Sequence, residues 1–360
     1  MPTQSGAGYG AAAPLPDICR QVLLYVVRNW SVLERNQKEG PPIMSLDIIA
    51  IGEALVEVMR TRADDPLDKA SEFVGPFPSG APAIFADQAA RLGSKVGFIG
   101  AVGDDDFGTC LLDRLQADGL DVTHCPRIPD RATGVAFVTY FSDGSRRFLY
   151  HIAHAAAGQM PDLAGEYFEG VKFLHICGSS LSVSERMRSL CYQAVELTKQ
   201  AGGRVSFDPN LRPELLGGQE ALRRICSPVL AAAYIVLPSG EEAELLSGVT
   251  GPDEACRVLL DVGPEVVALK RGAEGCSIYT KGNRIDVPAF PVEAVDPTGA
   301  GDCFDAGFVV GLLEGMALDR VGALANACGA LGATRKGPME GAFARRVVEK
   351  FIQDQMPPTA

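Results

Sequence analysis

The chain contains the stretch Val295-Asp296-Pro297-Thr298-Gly299-Ala300-Gly301-Asp302-Cys303-Phe304, and this stretch decides how the surrounding region folds. A short apolar run at residues 292–295 leads into it and predicts a strand. Apolar residues then recur at the spacing of a helix, at Phe304, Phe308, Leu312 and Leu313. The sequence therefore predicts a strand, a glycine turn and the start of a helix.

The start of this helix has the composition of an anion-binding site. The first backbone N–H groups of a helix have no partner inside it, and the helix dipole is positive there. The N–H groups around Gly299, Ala300 and Gly301 are therefore predicted to hold an anion. Asp302 follows in the first turn, where its carboxylate can take a proton from a hydroxyl that attacks a phosphate. The alternative is an ordinary tight turn, because Asp is also a favoured first-turn residue.

The complete string is more specific than its parts. Asp-x-Thr-Gly-Ala-Gly-Asp-x-Phe resembles the C-terminal signature of the ribokinase-type (PfkB) carbohydrate kinases. The resemblance implies that Asp302 is the general base and that Gly299, Ala300 and Gly301 stabilise the transferring phosphoryl group. It also implies that ATP and Mg²⁺ are used, and a monovalent cation is a further candidate cofactor.

The composition indicates a soluble cytosolic protein and is compatible with a small-molecule enzyme. The 360 residues are 47% hydrophobic and 22% charged, and the net charge of -12 disfavours nucleic acid as a partner. The ten cysteines include no CxxC pair, which indicates reduced thiols and a cytoplasmic location. No apolar run reaches the ~18 residues that a membrane span needs.

Strand and helix patterns alternate after residue 44. Apolar strands, most of them followed by a helical pattern, are predicted at residues 46–51, 96–99, 171–176, 205–207, 234–237 and 266–269. The alternation predicts an α/β fold with a doubly wound, mainly parallel sheet, and the resemblance implies that this sheet is ribokinase-like. Two β-rich runs within residues 134–152 flank the turn Ser142-Asp143-Gly144. Together with residues 55–78 they are predicted to form a small β-lid.

The first 43 residues differ from the rest of the chain. They begin with a segment rich in Gly, Ala and Pro and continue with one amphipathic helical pattern. We expect residues 1–43 to be an N-terminal extension, Met44 to be the functional start, and residues 44–355 to form the kinase domain.

Further matches to the family lie in segments that bind the sugar in relatives. Glu57 follows the first strand, and its carboxylate can accept hydrogen bonds from sugar hydroxyls. In the family's N-terminal signature, Ser79 and Ile84 stand where Gly and Asn are usual. The string Asp208-Pro209-Asn210-Leu211-Arg212-Pro213 follows a buried strand at the sheet edge where ligands bind. The implied substrate-binding residues are Glu57, Gly80, Ala81, Asn210, Arg212 and Asp302.

The remaining matches lie where relatives bind the nucleotide. Ser239 replaces the Asn of the family's Asn-x-x-Glu motif, whereas Glu242 is retained and is implied to hold Mg²⁺ through water. The strand and turn at residues 270–275 match the segment that passes the nucleotide. The implied nucleotide-binding residues are Ser239, Glu242, Lys270, Gly272, Gly275 and Asn326.

Two classes of function fit these motifs. The sequence has neither a P-loop nor a dinucleotide fingerprint, and its four histidines have no metal-ligand spacing. We expect a sugar kinase. The alternative is a catalytically silent sugar- or nucleotide-binding protein, which the departures at Ser79, Ile84 and Ser239 favour.

The sequence gives two further expectations, about the substrate and the assembly. We expect a neutral ketohexose, tagatose or fructose, phosphorylated on a primary hydroxyl. The alternative is 2-keto-3-deoxygluconate, whose carboxylate Arg212 could bind bidentately but Glu57 would repel. The lid segments 55–78 and 134–152 are expected to join two subunits in a homodimer.

Overall fold

Short apolar strands form the centre of the molecule, because their residues are buried on both faces. The computed structural model describes residues 45–211 and 218–355. Its strands are β1 Ile48–Ile51, β2 Leu55–Arg60, β3 Phe73–Ser79, β4 Val96–Ile99, β5 Val102–Gly103, β6 Arg127–Ile128, β7 Gly134–Tyr140, β8 Arg146–His151, β9 Phe173–Cys177, β10 Arg204–Asp208, β11 Ile235–Val236, β12 Val266–Lys270, β13 Cys276–Thr280 and β14 Asn283–Val287. Its α-helices are α1 Ala81–Arg91, α2 Asp106–Ala117, α3 Gly178–Val183, α4 Glu185–Gln200, α5 Gln219–Ala232, α6 Glu242–Ser247, α7 Pro252–Val262, α8 Ala300–Leu313, α9 Leu318–Gly332 and α10 Arg345–Gln355.

Eight strands form the central sheet, in the order β14-β13-β12-β11-β10-β9-β1-β4. The strands from β4 to β12 in this order are parallel, and β13 and β14 extend one edge as antiparallel strands. The predicted doubly wound, mainly parallel α/β sheet is thus confirmed. Within the described ranges, no helix is both long and apolar enough to cross a lipid bilayer.

Alternate residues of the central strands enter two separate cores, because successive strand side chains point to opposite faces. In β1, Ile48 and Ala50 belong to the core beneath α1, α2, α8 and α9. Ile49 and Ile51 belong to the core beneath α4, α5 and α7. The nine cysteines in the described ranges are free, and all except Cys110 are buried.

A separate four-stranded sheet, here called the lid, has the strand order β3-β2-β7-β8. Strands β2 and β3 are antiparallel, β7 and β8 form the hairpin around Ser142-Asp143-Gly144, and β2 pairs with β7 in parallel. The lid therefore consists of two hairpins that come from distant parts of the sequence.

One local prediction is wrong. Residues 292–295 do not form a strand, and Val295 is 60% exposed. The backbone N–H groups of Val295 and Asp296 instead donate to the carbonyl of Ala333, directly after α9. The glycine turn therefore follows an extended loop. Arg212 and the predicted extension at residues 1–43 lie outside the described residues.

Candidate active site

A cavity of about 810 Å³ lies between the lid and the carboxyl ends of the central parallel strands. This is where open α/β sheets bind ligands. Among the predicted site residues, the cavity is lined by Glu57, Gly80, Ala81, Asn210, Ser239, Glu242, Lys270, Gly272, Gly299, Gly301 and Asp302. Ala300, Gly275 and Asn326 are described but do not belong to this lining. The structure therefore brings together residues that lie up to 245 positions apart in the sequence, from Glu57 to Asp302.

The glycine turn is built for close backbone contact. Gly299, the N-cap of α8, has φ 82°, which favours glycine, and a methyl group added there would lie 2.3 Å from the Pro338 carbonyl oxygen. The Ala300 N–H donates to the Pro297 carbonyl at 3.3 Å. The N–H groups of Gly299 and Gly301 have no acceptor among the described residues. They can therefore bind a ligand anion.

Asp302 lies in the first turn of α8 and is 7% exposed, at the wall of the cavity. One carboxylate oxygen of Asp302, one of Asp208 and the Cys177 sulfur all lie within 4.8 Å of one another. Burial, and then the charges of Asp208 and Asp302, raise the pKa of the Cys177 thiol well above its ordinary value. This thiol therefore stays protonated, and the carboxylates are the basic groups of the cluster.

The lid contacts the glycine turn directly. The Tyr140 hydroxyl of β7 donates to Asp296 Oδ1 at 2.8 Å, and Arg146 Nη1 of β8 donates to Thr298 Oγ1 at 2.9 Å. Asp296 also accepts the N–H groups of Thr298, at 3.0 Å, and Gly337, at 3.1 Å. Asp296 thus links the lid, the turn and the segment after α9.

Two buried carboxylates lie at the lid end of the cavity. Glu57 Oε1 accepts the Ser79 hydroxyl at 2.6 Å. Glu53 accepts the hydroxyls of Ser179, at 2.7 Å, and Ser180, at 2.6 Å. Each glutamate is 4% exposed and lines the cavity. This end can therefore accept hydrogen bonds from ligand hydroxyls.

Glu242 defines the opposite end of the cavity. Its Oε1 accepts the Leu211 N–H at 2.8 Å, and its Oε2 accepts the N–H and the hydroxyl of Ser239 at 2.8 and 2.9 Å. Burial, and then the nearby Asp208, raise the pKa of Glu242. These three hydrogen bonds fix the carboxylate in one orientation, which suits an oxygen ligand for a hydrated Mg²⁺ ion.

Two predicted nucleotide residues have partners within the protein. Lys270 Nζ donates to Asp208 Oδ1 at 3.1 Å and to Asp305 Oδ1 at 3.0 Å. Asn326 Nδ2 donates to the carbonyls of Val287, at 3.1 Å, and Pro288, at 3.0 Å. Asn326 therefore fastens α9 to the end of β14, and its nucleotide contact stays a prediction.

The sequence patterns indicate no individual role for several charged residues at or beside the cavity. Among them are Glu53, Arg146 and Asp305. A signal existed for Asp305, because it and Asp302 are the only charged residues in the otherwise apolar helix α8. Arg146 follows the hairpin turn, but its direction depends on how the lid packs, which no local pattern shows.

The comparison with protein families gives the class of the protein. The model described as "pfkB family carbohydrate kinase" matches residues 45–343. The chain belongs to this family, and it is a sugar phosphotransferase that binds ATP. The predicted resemblance is confirmed, and the alternative of a catalytically silent binding protein is set aside.

Individual relatives agree with this class. A fructokinase from Escherichia coli is 33% identical over 313 residues, which cover 85% of this chain and 99% of the relative. A candidate ribokinase II from E. coli, solved in complex with ATP and Mg²⁺, is 41% identical with a TM-score of 0.79 and covers 86% of this chain and 99% of its own. A Vibrio cholerae fructokinase, solved with fructose, ADP and calcium ion, is 27% identical with a TM-score of 0.73, at the same two coverages.

Proposed function

We propose that the chain transfers the γ-phosphoryl group of ATP to a primary hydroxyl of a neutral ketohexose, fructose or tagatose. The observation that carries the choice of a neutral sugar is the pair of buried carboxylates Glu53 and Glu57 at the lid end of the cavity. A sugar hydroxyl can donate to such a group, whereas a sugar acid would place a like charge beside it. The names of the fructokinase relatives support the same choice.

The reaction needs a base and an anion hole at one place. In the proposed mechanism, Asp302 accepts the proton of the attacking hydroxyl while the Gly299 and Gly301 N–H groups stabilise the charge of the transferring group. Gly80, Ala81 and Asn210 complete the sugar site, and the predicted role of Arg212 remains part of the proposal.

Mg²⁺ would neutralise phosphate charge, and Glu242 is proposed to hold it through water. Ser239 fixes this carboxylate, and Gly272 lines the same end of the cavity. Contacts of Gly275 and Asn326 with the nucleotide, and a monovalent cation requirement, are also proposed. Activity assays in KCl and in NaCl test the monovalent cation requirement.

Asp302→Asn tests the base. We expect kcat to fall roughly 10²–10⁴-fold while the ATP affinity changes little, because only the proton acceptor is lost. Asp319→Asn is the matched control, since Asp319 also lies in the first turn of a helix but is exposed, outside the cavity lining. Equal turnover of the two variants would remove Asp302 from the mechanism.

The substrate is tested by comparing kcat/KM for fructose, tagatose and 2-keto-3-deoxygluconate. We expect a neutral ketohexose to be preferred, and Glu57→Gln to narrow the difference between the neutral sugars and the acid. A clear preference of the wild-type enzyme for the acid would reject the neutral-sugar proposal and leave the sugar kinase class intact.

Three broader proposals concern the whole protein. A homodimer joined through the lid is supported by the exposed Phe73 and Leu149 side chains on β3 and β8. A monomer in light scattering at micromolar concentration would contradict it. We also propose a cytoplasmic location, and that residues 1–43 lie outside the kinase domain. Full activity of a chain that starts at Met44 is the expected result.

A further inference from the structure

Three charged side chains from separate elements meet beneath the glycine turn. Lys270 Nζ, at the end of β12, lies 3.1 Å from Asp208 Oδ1, at the end of β10. The same nitrogen lies 3.0 and 3.1 Å from the two carboxylate oxygens of Asp305, in α8. All three residues are buried, and Asp305 is fully so. The contact therefore joins two strand ends to one helix.

The cluster lies directly next to the catalytic groups. A methyl group added at Gly301 would be 3.7 Å from Lys270 Nζ. Asp305 lies one helical turn after Asp302, and an oxygen of Asp208 lies within 4.8 Å of one of Asp302. Any shift of the cluster would therefore move the first turn of α8 and its carboxylate.

The charges of the described residues favour one proton on this cluster. Two carboxylates and one ammonium leave one uncompensated negative charge in a buried place, which is costly. Among the residues that the structure describes, the other titratable groups that face it supply no positive charge: Asp302 and Glu242 are acidic, Cys177 is a thiol, and burial lowers the pKa of His175 to about 3. This balance favours a single proton shared by the two cluster carboxylates.

The environment of each carboxylate indicates where the proton lies. Burial, followed by the charge of Asp208, raises the pKa of Asp305 well above its ordinary value. Burial also acts to raise the pKa of Asp208, but the Lys270 ammonium and a hydrogen bond from Asp305 hold it below its ordinary value. Asp208 also accepts the Asn210 N–H at 3.3 Å, a contact that favours the ionised form.

We propose that Asp208, Lys270 and Asp305 form a positioning triad that fixes the first turn of α8, and with it Asp302, against the ends of β10 and β12, with the shared proton on Asp305. The triad gives Lys270 an internal role in place of a nucleotide contact. This inference rests on Asp302 being the base in the proposed function.

Two substitutions of Asp305 test the position of the proton. Asp305→Ala is expected to lower kcat about 10- to 100-fold, because it removes the link between α8 and Lys270. Asp305→Asn should keep most of the wild-type kcat, since an amide resembles a protonated carboxyl. An infrared band of a protonated carboxyl, present in the wild type, disappears in both variants. An equal loss of kcat in the Asp305→Ala and Asp305→Asn variants, or an infrared band that stays unchanged, would overturn the assignment of the proton to Asp305. The infrared measurement needs no sugar substrate, so it tests the triad independently of the proposed function.

Lys270→Met tests the role of the Lys270 ammonium charge in the triad. Without the ammonium, the uncompensated Asp208 carboxylate disfavours a second negative charge nearby, so the acid limb of the kcat/KM profile moves to higher pH. A raised KM for ATP with an unmoved acid limb would show that Lys270 acts on the nucleotide. If the Met variant fails to fold, the Asp305 pair still decides the proposal.

Discussion

Gly299→Ala is the sharpest test of the glycine turn. Its φ of 82° lies in the left-handed region, which costs a residue with a side chain about 1–2 kcal/mol. The added methyl would also lie 2.3 Å from the Pro338 carbonyl oxygen, and relieving such overpacking costs about 1–3 kcal/mol more. We therefore expect the free energy of unfolding to fall by about 2–5 kcal/mol. A turn displaced by about 1 Å should also lower kcat about 100-fold.

Gly282→Ala is the matched control. Gly282 has φ 84° in the turn between β13 and β14, and an added methyl would meet nothing within 4 Å. This variant carries only the backbone strain, about 1–2 kcal/mol, and should keep full kcat. Urea denaturation measures both stabilities, and steady-state kinetics measures both turnovers. If the two alanine variants lose the same stability and both keep wild-type kcat, the packing of the turn against Pro338 is irrelevant and the reasoning fails.

Two other predictions follow from the lid and the core. Arg146→Gln should lower kcat/KM about tenfold, because it removes the charged hydrogen bond to Thr298. Arg147→Gln is the control and should leave kcat/KM unchanged, since Arg147 is the next residue on β8 but lies outside the cavity lining. Equal values of kcat/KM for the two variants would contradict a role for the Arg146–Thr298 contact. The buried His175 should make the protein less stable as the pH falls below 6.5. Its pKa is about 3 in the folded protein, so between these two pH values only the unfolded chain binds a proton there. The free energy of unfolding should then fall by about 1.4 kcal/mol for each pH unit. Urea denaturation at pH 7 and pH 5 should show that His175→Asn loses less unfolding free energy between the two pH values than the wild type does. An identical loss in both proteins would contradict the role of His175.

The sequence could predict what depends on local pattern. The alternation of strands and helices gave the parallel sheet, and the Ser142-Asp143-Gly144 turn gave the hairpin of the lid. The prediction of a strand at residues 292–295 is wrong because the N–H groups at its end, those of Val295 and Asp296, bond to the carbonyl of Ala333 after α9, a contact between distant segments. An apolar run alone does not show which partner its backbone will find.

The same limit applied to the candidate site. The string around Asp302 predicted both the glycine turn, which the structure shows, and the proposed base, since the necessary residues are adjacent in sequence. The match of its strand to the family predicts a nucleotide contact for Lys270. Its carboxylate partners, Asp208 and Asp305, lie 62 and 35 residues away. Only the packing of β10, β12 and α8 brings these charges together.

The parallel pairing of β2 with β7 has a consequence for the order of folding. Leu55 pairs with Gly134, and the chain between them includes α1, β4 and α2 of the main body. The two lid hairpins can each form locally, but their junction requires a long loop to close first, which is slow. The lid is therefore expected to assemble last, and hydrogen exchange should find it opening while the central sheet stays protected.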